Sequence, residues 1–311
     1  MKCRIFLLVT AISVFAALAI PVRLVAQEEK TNHRHHGDFT KIDAPGGTFT
    51  QARGGNPRGD VVGNYGDSSG VHGFLFHKGT FTIIDVPGAP TFTEASGINT
   101  QGDIVGFYSD ANFKEHGFLL RKGTFTNIDV PGSSGMDATG INARGDIVGT
   151  YTDLAGVHGF LLREDTFTHI DAPGATQTNV FGINERGDIV GSYFDANFKQ
   201  HGFLLHKGTV TNIDVPGSTA TQAFGINPQG DIVGLYNATP FPRGPVQGFL
   251  LHKGTFTTID VQPPPFITEA TGVDERGDIV GFYGDSSGVH GFLLIPCDQD
   301  HTGAEACKDV K

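Results

Sequence analysis

The sequence predicts an all-β protein, and three observations support this class. The 311-residue chain contains 44 glycines and 16 prolines, and a glycine inside a helix costs about 1 kcal/mol relative to alanine. Its 25 phenylalanines and low charged fraction of 18% argue against a disordered chain, which lacks the apolar surface to offset its ordering entropy. Segments rich in Thr, Phe, Ile and Val alternate with Gly, Asn, Asp and Pro throughout, which is typical of short strands joined by tight turns.

The first 26 residues have the organisation of a secretory signal peptide. Lys2 and Arg4 precede an uncharged apolar run at 5–20. The run is too short for a comfortable transmembrane helix and no second one follows it, so we expect no membrane span. We predict cleavage after Ala26, with Ala19 as the alternative, and a secreted mature chain that is extracellular or periplasmic.

One unit occurs six times along the rest of the chain. The string Gly-Asp-(Ile/Val)-Val-Gly recurs about every 43 residues, and each copy is followed by Gly-Phe-Leu. A Thr-rich segment that ends in Ile-Asp also occurs six times, once before the first copy and once after each of the first five. A fixed period of this length is the signature of a repeat architecture. We place the repeats at approximately 50–85, 93–129, 137–171, 179–214, 222–260 and 269–295, with an additional segment at 38–43.

Each unit is predicted to form four short strands. In the second unit we place them at 95–99, 104–108, 116–122 and 125–130, because Gly, Asn and Pro separate these four β-prone segments. A crossover to the next unit begins at Val130-Pro-Gly132, where Pro and Gly suit successive turn positions.

Four strands per unit is the spacing of propeller blades. The chain enters with a lone fourth strand at 39–43 and leaves after a third strand at 290–295. Pairing these two would close the ring and remove two exposed edges. We therefore predict a six-bladed β-propeller at 38–295, closed by the N-terminal strand, with an open β array as the alternative.

The repeated motifs also resemble a known family. His-Gly-Phe-Leu, Gly-Thr-Phe-Thr-x-Ile-Asp and Gly-Ile-Asn-x-x-Gly-Asp-Ile-Val-Gly are similar to the bacterial extracellular repeats called the HAF family, and the resemblance covers all six units. It implies an extracellular location and a repeat architecture, and no particular chemistry. The sequence departs from the family pattern by placing Gly where Ala is expected, at Gly73, Gly117, Gly159, Gly202 and Gly291.

Two polar tails flank the repeats. The tail at 27–37 contains His33, His35 and His36, which are capable of weak metal chelation. The tail at 296–311 contains Cys297 and Cys307, for which we predict a disulfide because the mature chain lies outside the cytoplasm.

A histidine recurs at the start of the third strand in five units. It follows a hairpin aspartate by five or six residues, and the fifth unit departs at both positions together, with Asn237 and Gln247. We interpret these pairs as structural hydrogen bonds. The alternative is weak metal binding, Ca²⁺ in particular, at the aspartates; no other cofactor is expected. The histidines are His72, His116, His158, His201 and His290, and the aspartates are Asp67, Asp110, Asp153, Asp195 and Asp285.

The largest departures from the repeat flank the fifth unit, at 237–247 and 261–268. Both are insertions that bring proline and phenylalanine to one predicted face. Phe241, Arg243 and Phe266 are the candidates for a ligand or partner contact, because aromatic and Arg side chains anchor recognition surfaces. Simple loop variation is the alternative.

The predicted function is a secreted, non-catalytic binding scaffold, monomeric, for an extracellular protein or glycan. A net charge of −11 argues against nucleic-acid binding, which requires clustered Lys and Arg. A carbohydrate hydrolase or lyase at the channel mouth is the first alternative, and it needs a titratable residue without siblings in the other units. A structural or adhesive module is the second, suggested by four Arg-Gly-Asp turns. Gly-Asp-Ser-Ser-Gly occurs twice, and its position inside hairpins favours a turn over a hydrolase elbow.

Overall fold

The computed structural model describes residues 37–89, 91–239, 244–259, 261 and 266–296. These residues form 24 strands, and none of them belongs to a helix long and apolar enough to cross a membrane. The strands are β1 (Gly37–Ile42), β2 (Phe49–Gly55), β3 (Val61–Gly66), β4 (Val71–His77), β5 (Thr80–Ile84), β6 (Thr93–Ile98), β7 (Ile104–Ser109), β8 (Glu115–Arg121), β9 (Thr124–Ile128), β10 (Gly135–Ile141), β11 (Ile147–Thr152), β12 (Val157–Arg163), β13 (Thr166–Ile170), β14 (Gln177–Ile183), β15 (Ile189–Phe194), β16 (Gln200–His206), β17 (Thr209–Ile213), β18 (Ala220–Ile226), β19 (Ile232–Asn237), β20 (Val246–His252), β21 (Thr255–Ile259), β22 (Ile267–Val273), β23 (Ile279–Asp285) and β24 (Gly288–Pro296).

The strands form six antiparallel blades. Blades 1 to 4 are β2–β5, β6–β9, β10–β13 and β14–β17. Blade 5 is β18–β21, and blade 6 is β22–β24 together with β1; a single parallel pair, Val246 with Ile267, joins these two blades. The predicted six-bladed β-propeller is confirmed.

The N-terminal strand closes the ring, as predicted. β1 pairs antiparallel with β24, from Gly37 opposite Pro296 to Ile42 opposite Gly291. The ring of Phe39 packs 5.7 Å from that of Phe292. The first described strand thus supplies the outer strand of the last blade, and the edge of β24 is covered.

The strand limits in the second unit differ slightly from the prediction. β6 begins at Thr93 and not at 95, because Thr93 still pairs with Tyr108 across the first hairpin. β9 ends at Ile128 and not at 130, where the Pro-Gly crossover begins.

The first strands of the six blades surround the axis. In each, the register shifts at one residue, and a glycine follows this β-bulge. A Cβ at Gly54 would lie 3.2 Å from Cα of Gly97 in the next blade, and one at Gly272 would lie 3.4 Å from Cα of Gly54. The backbones therefore approach too closely for a side chain, and the contact runs around the ring. The six glycines are Gly54, Gly97, Gly140, Gly182, Gly225 and Gly272.

The hydrophobic core lies between neighbouring blades. Phe118 of blade 2 is completely buried and belongs to one cluster with Val62 and Ile84 of blade 1. Burial of one Phe side chain contributes about 2–3 kcal/mol. The same position of the Gly-Phe-Leu motif is buried in every blade, as Phe74, Phe118, Phe160, Phe203, Phe249 and Phe292.

Asparagine side chains link the blades at one face of the ring, which we call the Asn face and define by the turns between first and second strands. In blade 3, Asn142 Oδ1 accepts hydrogen bonds from the backbone N–H groups of Arg144 and Asp146. Its Nδ2 donates to Asp146 Oδ2 and, across the blade boundary, to the backbone oxygen of Asn184 at 3.2 Å. The same link to the next blade is made by Asn56, Asn99, Asn184 and Asn227.

Blade 6 departs from this pattern because Asp274 stands in place of the asparagine. Its Oδ1 still accepts from the N–H groups of Arg276 and Asp278. An ionised carboxylate has no proton to donate, so the hydrogen bond toward the first blade is not made. Asp274 and Asn56 line a small cavity at that boundary.

Candidate functional site

The opposite face of the ring contains the repeated histidines, and we call it the His–Asp face. It is formed by the hairpins between second and third strands and by the crossovers after the fourth strands. In blade 1, His72 Nε2 lies 3.4 Å from the hairpin carboxylate of Asp67. His72 Nδ1 lies 2.9 Å from Asp85, the Ile-Asp residue at the end of the fourth strand.

Both contacts recur in every blade that has the histidine. The hairpin carboxylate lies 3.4–3.6 Å from the ring, and the Ile-Asp carboxylate lies 2.8–3.0 Å away. The structure therefore brings together the residues that the sequence paired, and it adds a second, closer aspartate that the sequence analysis did not assign to the histidine. In blade 6 this aspartate is Asp43, 247 residues away in the chain, because β1 replaces the fourth strand.

A tyrosine packs against each of these histidines, which the sequence analysis missed. Tyr108 is paired with His116 across the hairpin, with ring centroids 5.3 Å apart. The sequence contains a pattern that could have predicted this contact, because its six tyrosines occur once per unit. Five of them lie two residues before the hairpin Asp, and the one in the fifth unit lies one residue before Asn237. The tyrosines are Tyr65, Tyr108, Tyr151, Tyr193, Tyr236 and Tyr283.

The hairpin aspartates cap their own turns. Asp110 Oδ1 accepts backbone hydrogen bonds from Asn112 at 2.7 Å and Lys114 at 2.9 Å. These bonds, led by the one from Lys114, lower the pKa of Asp110 from its usual value. One oxygen of each hairpin carboxylate is therefore occupied by the turn, as Asp does readily.

Blades 1 and 6 carry a Ser–His–Asp chain. Ser69 Oγ lies 2.9 Å from His72 Nε2, and His72 Nδ1 lies 2.9 Å from Asp85. Ser69 Oγ also donates to Asp67 Oδ1 at 2.6 Å, so its single proton is engaged by a carboxylate. Burial lowers the pKa of His72, but the hydrogen bond and charge of Asp85 outweigh it and the pKa is raised. Because Ser69 already donates its proton to Asp67, His72 does not receive it as a general base would, and the chain is a hydrogen-bond network.

Hydrophobic side chains project from three consecutive hairpins of the His–Asp face. Phe113 in blade 2 is 83% exposed and Phe198 in blade 4 is 79% exposed, while Leu154 in blade 3 is fully exposed. The two phenylalanines occupy identical Asp-Ala-Asn-Phe-Lys hairpins. In the sequence these two hairpins are identical, so neither shows the irregularity that marks the insertions around the fifth unit.

The candidate contact residues near blade 5 are only partly described. Phe266 lies immediately before β22 and is 74% exposed. Phe241 and Arg243 lie outside the described residues, as do Cys297 and Cys307. In this blade Gln247 pairs with Tyr236 in place of a histidine.

Carboxylates of three of the six blades lie on the first strands around the axis. They occupy one repeat position, which holds Gln51, Glu94, Asp137, Asn179, Gln222 and Glu269. Asp137 Oδ1 is buried and has no hydrogen-bond partner. Burial, together with the charges of Glu115 and Glu94, raises the pKa of Asp137 to about 7. Burial and Glu94, opposed by Arg53, raise the pKa of Glu269 to about 7 as well.

Three of the Arg-Gly-Asp turns on the Asn face are internally paired. Arg58 bonds Asp60, and Arg144 lies 2.9 Å from Asp146. Arg276 contacts Asp278 in the same way. These arginines therefore hold their own turn together.

No family model matches the chain, and no curated protein matches it. Solved structures with a similar fold include the fucose-recognising lectin of the fungus Aleuria aurantia, a six-bladed β-propeller, at 11% identity over 84% of this chain and 100% of the lectin (TM-score 0.50). A putative gluconolactonase is 13% identical over 85% and 94% of the two chains (TM-score 0.51). The class is thus a six-bladed β-propeller, a fold that serves both lectins and enzymes.

Proposed function

We propose that the protein is a secreted, non-catalytic β-propeller that binds an extracellular glycan through the hairpin tips of the His–Asp face. The observation that carries the proposal is the conformation of Phe113 and Phe198. Both have positive φ angles, of 62° and 60°, and both are exposed. Left-handed backbone costs a residue with a side chain about 1–2 kcal/mol.

Folding alone does not account for these two residues. The other non-glycine residues with positive φ are Lys, Glu and Asp in the two-residue turns between third and fourth strands, where polar residues suit solvent. Phe113 and Phe198 have little contact with the core to offset their backbone strain. Strain that is retained at an exposed aromatic residue favours a role in recognition.

The surroundings of each tip suit a sugar. Asn112 and Lys114 flank Phe113, whereas the second oxygen of Asp110 lies 3.5 Å from His116 Nε2. An aromatic face next to amide and ammonium groups matches a ligand with apolar C–H faces and many hydroxyls. Identical tips in blades 2 and 4 allow two units of a repeating polymer to bind at once, which raises the apparent affinity.

The test is a glycan array followed by titration of the mature protein with the best-bound polymer. We expect the double variant Phe113→Gly/Phe198→Gly to lose at least about 100-fold in apparent affinity through loss of two linked contacts. Its melting temperature should equal or exceed that of the wild type, because glycine removes the strain.

Ile83→Ser is the matched control, since Ile83 is exposed on the outer strand of blade 1. It should bind as the wild type does. Unchanged glycan binding by the double variant would overturn the proposed tips. Binding that instead falls with Phe266→Ala would assign the ligand to the fifth-blade insertions, where Phe241 and Arg243 also lie.

The axial carboxylates support a second candidate function, a carbohydrate-active enzyme. Asp137 and Glu269 have raised pKa values, and three of the six blades have an amide at their repeat position; a carboxyl group with a raised pKa is what general acid catalysis needs. Asp137→Asn should then abolish cleavage of a bound glycan and leave its binding intact. Absence of any cleavage of the array-selected glycan by the wild type would reject this candidate.

The proposal also includes export of the protein after removal of its signal peptide, and membership of the HAF family that its repeats resemble. We expect the secreted protein to begin at Gln27, which N-terminal sequencing of the exported chain checks. Retention of residues 1–26 in the mature protein would contradict it.

A further inference from the structure

Blade 3 differs from its neighbours by one histidine on the His–Asp face. The residue before Ile-Asp is His169 in blade 3, whereas blades 2 and 4 have Asn127 and Asn212 there. His169 Nε2 lies 2.8 Å from Asp171 Oδ2, and the repeated histidine of this blade, His158, places Nδ1 3.0 Å from the same oxygen.

We propose that His158, His169 and Asp171 form a binding site for a divalent transition metal, with Zn²⁺ as the ion of choice. One ligand atom from each of the three residues lies within 4.8 Å of the other two. Two imidazoles and a carboxylate are the donor set of many three-residue zinc sites, which leave one coordination position open. Ca²⁺ fits poorly, because it requires six to eight oxygen ligands.

The outer ring atoms of both histidines already have the partners that such a site needs. Tyr151 Oη lies 2.8 Å from His169 Nδ1. Asp153 Oδ1 lies 3.5 Å from His158 Nε2. Groups of this kind fix the orientation and tautomer of a ligating imidazole, so that its other nitrogen faces the metal without a proton. In the apo protein the two inward nitrogens share Asp171, and a metal would replace these two hydrogen bonds by coordination.

Access to the site is open on the ligand side. The side chains of His169 and Asp171 are 50% and 40% exposed, while that of His158 is 15% exposed. A Zn²⁺ ion bound by these three residues would keep a fourth coordination position for water or for a ligand atom of a partner molecule. Leu154, at the hairpin tip of the same blade, lies on the same face. The site is independent of the proposed glycan contacts, since none of its ligands belongs to a hairpin tip.

The test is calorimetric titration of the untagged, full mature chain with Zn²⁺ alone. The parent carries His33→Ala, His35→Ala and His36→Ala, because these tail histidines are also potential ligands. We expect one equivalent of Zn²⁺ to bind this parent. His169→Asn, which gives blade 3 the sequence of blades 2 and 4, should bind at least about 100-fold more weakly, and Tyr151→Phe about 10-fold more weakly.

The reverse substitution is the matched gain-of-function variant. Asn127→His places the second imidazole beside His116, Asp129 and Tyr108 in blade 2 and should add a second equivalent of Zn²⁺. Melting curves without metal should show that His169→Asn is folded like its parent. The proposal is overturned if the parent binds no Zn²⁺, if His169→Asn binds as its parent does, or if Asn127→His adds no site.

Discussion

The two faces of the propeller use repeated polar networks for different purposes. On the Asn face, side chains such as Asn142 donate across the blade boundary to the backbone of the next blade. On the His–Asp face, the contacts of His158 with Asp153 and Asp171 stay inside one blade. The difference indicates that the Asn face holds the ring together. The His–Asp face is then free to vary, and it contains the exposed hairpin tips and the unique His169.

The largest effect should follow from cutting one link on the Asn face. Asn142→Ala leaves the N–H groups of Arg144 and Asp146 and the buried oxygen of Asn184 without their partner. We expect the free energy of unfolding in urea to fall by about 3 kcal/mol. Asn142→Asp, which copies the native Asp274, should lose less because it keeps the acceptor. Equal losses for both variants would contradict the role of the acceptor.

The pH dependence of stability should differ between the axis and the Asn face. Asp137 and Glu269 have folded pKa values of about 7, above the usual carboxyl value of about 4. The folded protein then binds more protons between these values, so the free energy of unfolding falls as pH rises from about 4 to 7. The slope is at most about 1.4 kcal/mol per pH unit for each group. Asp137→Asn/Glu269→Gln should flatten it in urea unfolding.

The pKa of Asp146 on the Asn face is lowered, whereas those of Asp137 and Glu269 are raised, so Asp146 serves as the comparison. Burial raises the pKa of this carboxyl, but hydrogen bonds from Arg163, Asn142 and Arg144 outweigh it and hold the pKa at about 2. Its contribution is present above pH 4 and is lost as pH falls toward 2. Stability that is flat from pH 4 to 7 in the wild type would refute the axial assignment.

Completing the sixth link should stabilise the ring. Asp274→Asn keeps the acceptor for Arg276 and Asp278 and adds a donor toward Asn56 at the open boundary. It also removes a negative charge that, after burial, helps to raise the pKa of Asp278. We expect a gain of about 1 kcal/mol in the free energy of unfolding. A loss of stability would show that the carboxylate is needed for its ion pair with Arg276.

The smallest effect should come from the His–Asp face. His201→Gln gives blade 4 the residue that blade 5 has naturally at this position, Gln247, and it removes a partly buried hydrogen bond between His201 and Asp214. We expect a loss of less than about 1 kcal/mol. Ca²⁺ and EDTA should shift the melting temperature little, since the turns occupy one oxygen of each hairpin Asp. A decrease in the free energy of unfolding as large as that of Asn142→Ala would contradict the proposed difference between the two faces.

Much of the architecture could be predicted because it is written in local, repeated patterns. The Gly-Asp and Pro-Gly turns fix where strands end, and the orphan segments at 39–43 and 290–295 indicate that the chain closes on itself. The contact between Asp110 and His116 could be predicted for the same reason, since an antiparallel pair of strands joined by a short turn brings residues that are close in sequence together.

The Ile-Asp carboxylate that contacts each repeated histidine could not be predicted in this way. Asp85 lies 13 residues after His72, on a strand whose register only the sheet decides. Asp43 reaches His290 only because the ring closes. The raised pKa of Asp137 likewise depends on Glu94 of the preceding blade, and a single repeat contains no information about its neighbour's axial residue.

The sequence by itself determined the number of blades, the strand order and the closing strand, because turn residues and apolar alternation act over a few residues. The tertiary structure decided which polar groups meet: the ring of Asn links, the buried axial carboxylates and the pairing of His158 with His169 on one aspartate. Such contacts depend on strand register and on the packing of one blade against the next, and both are set by the ring as a whole.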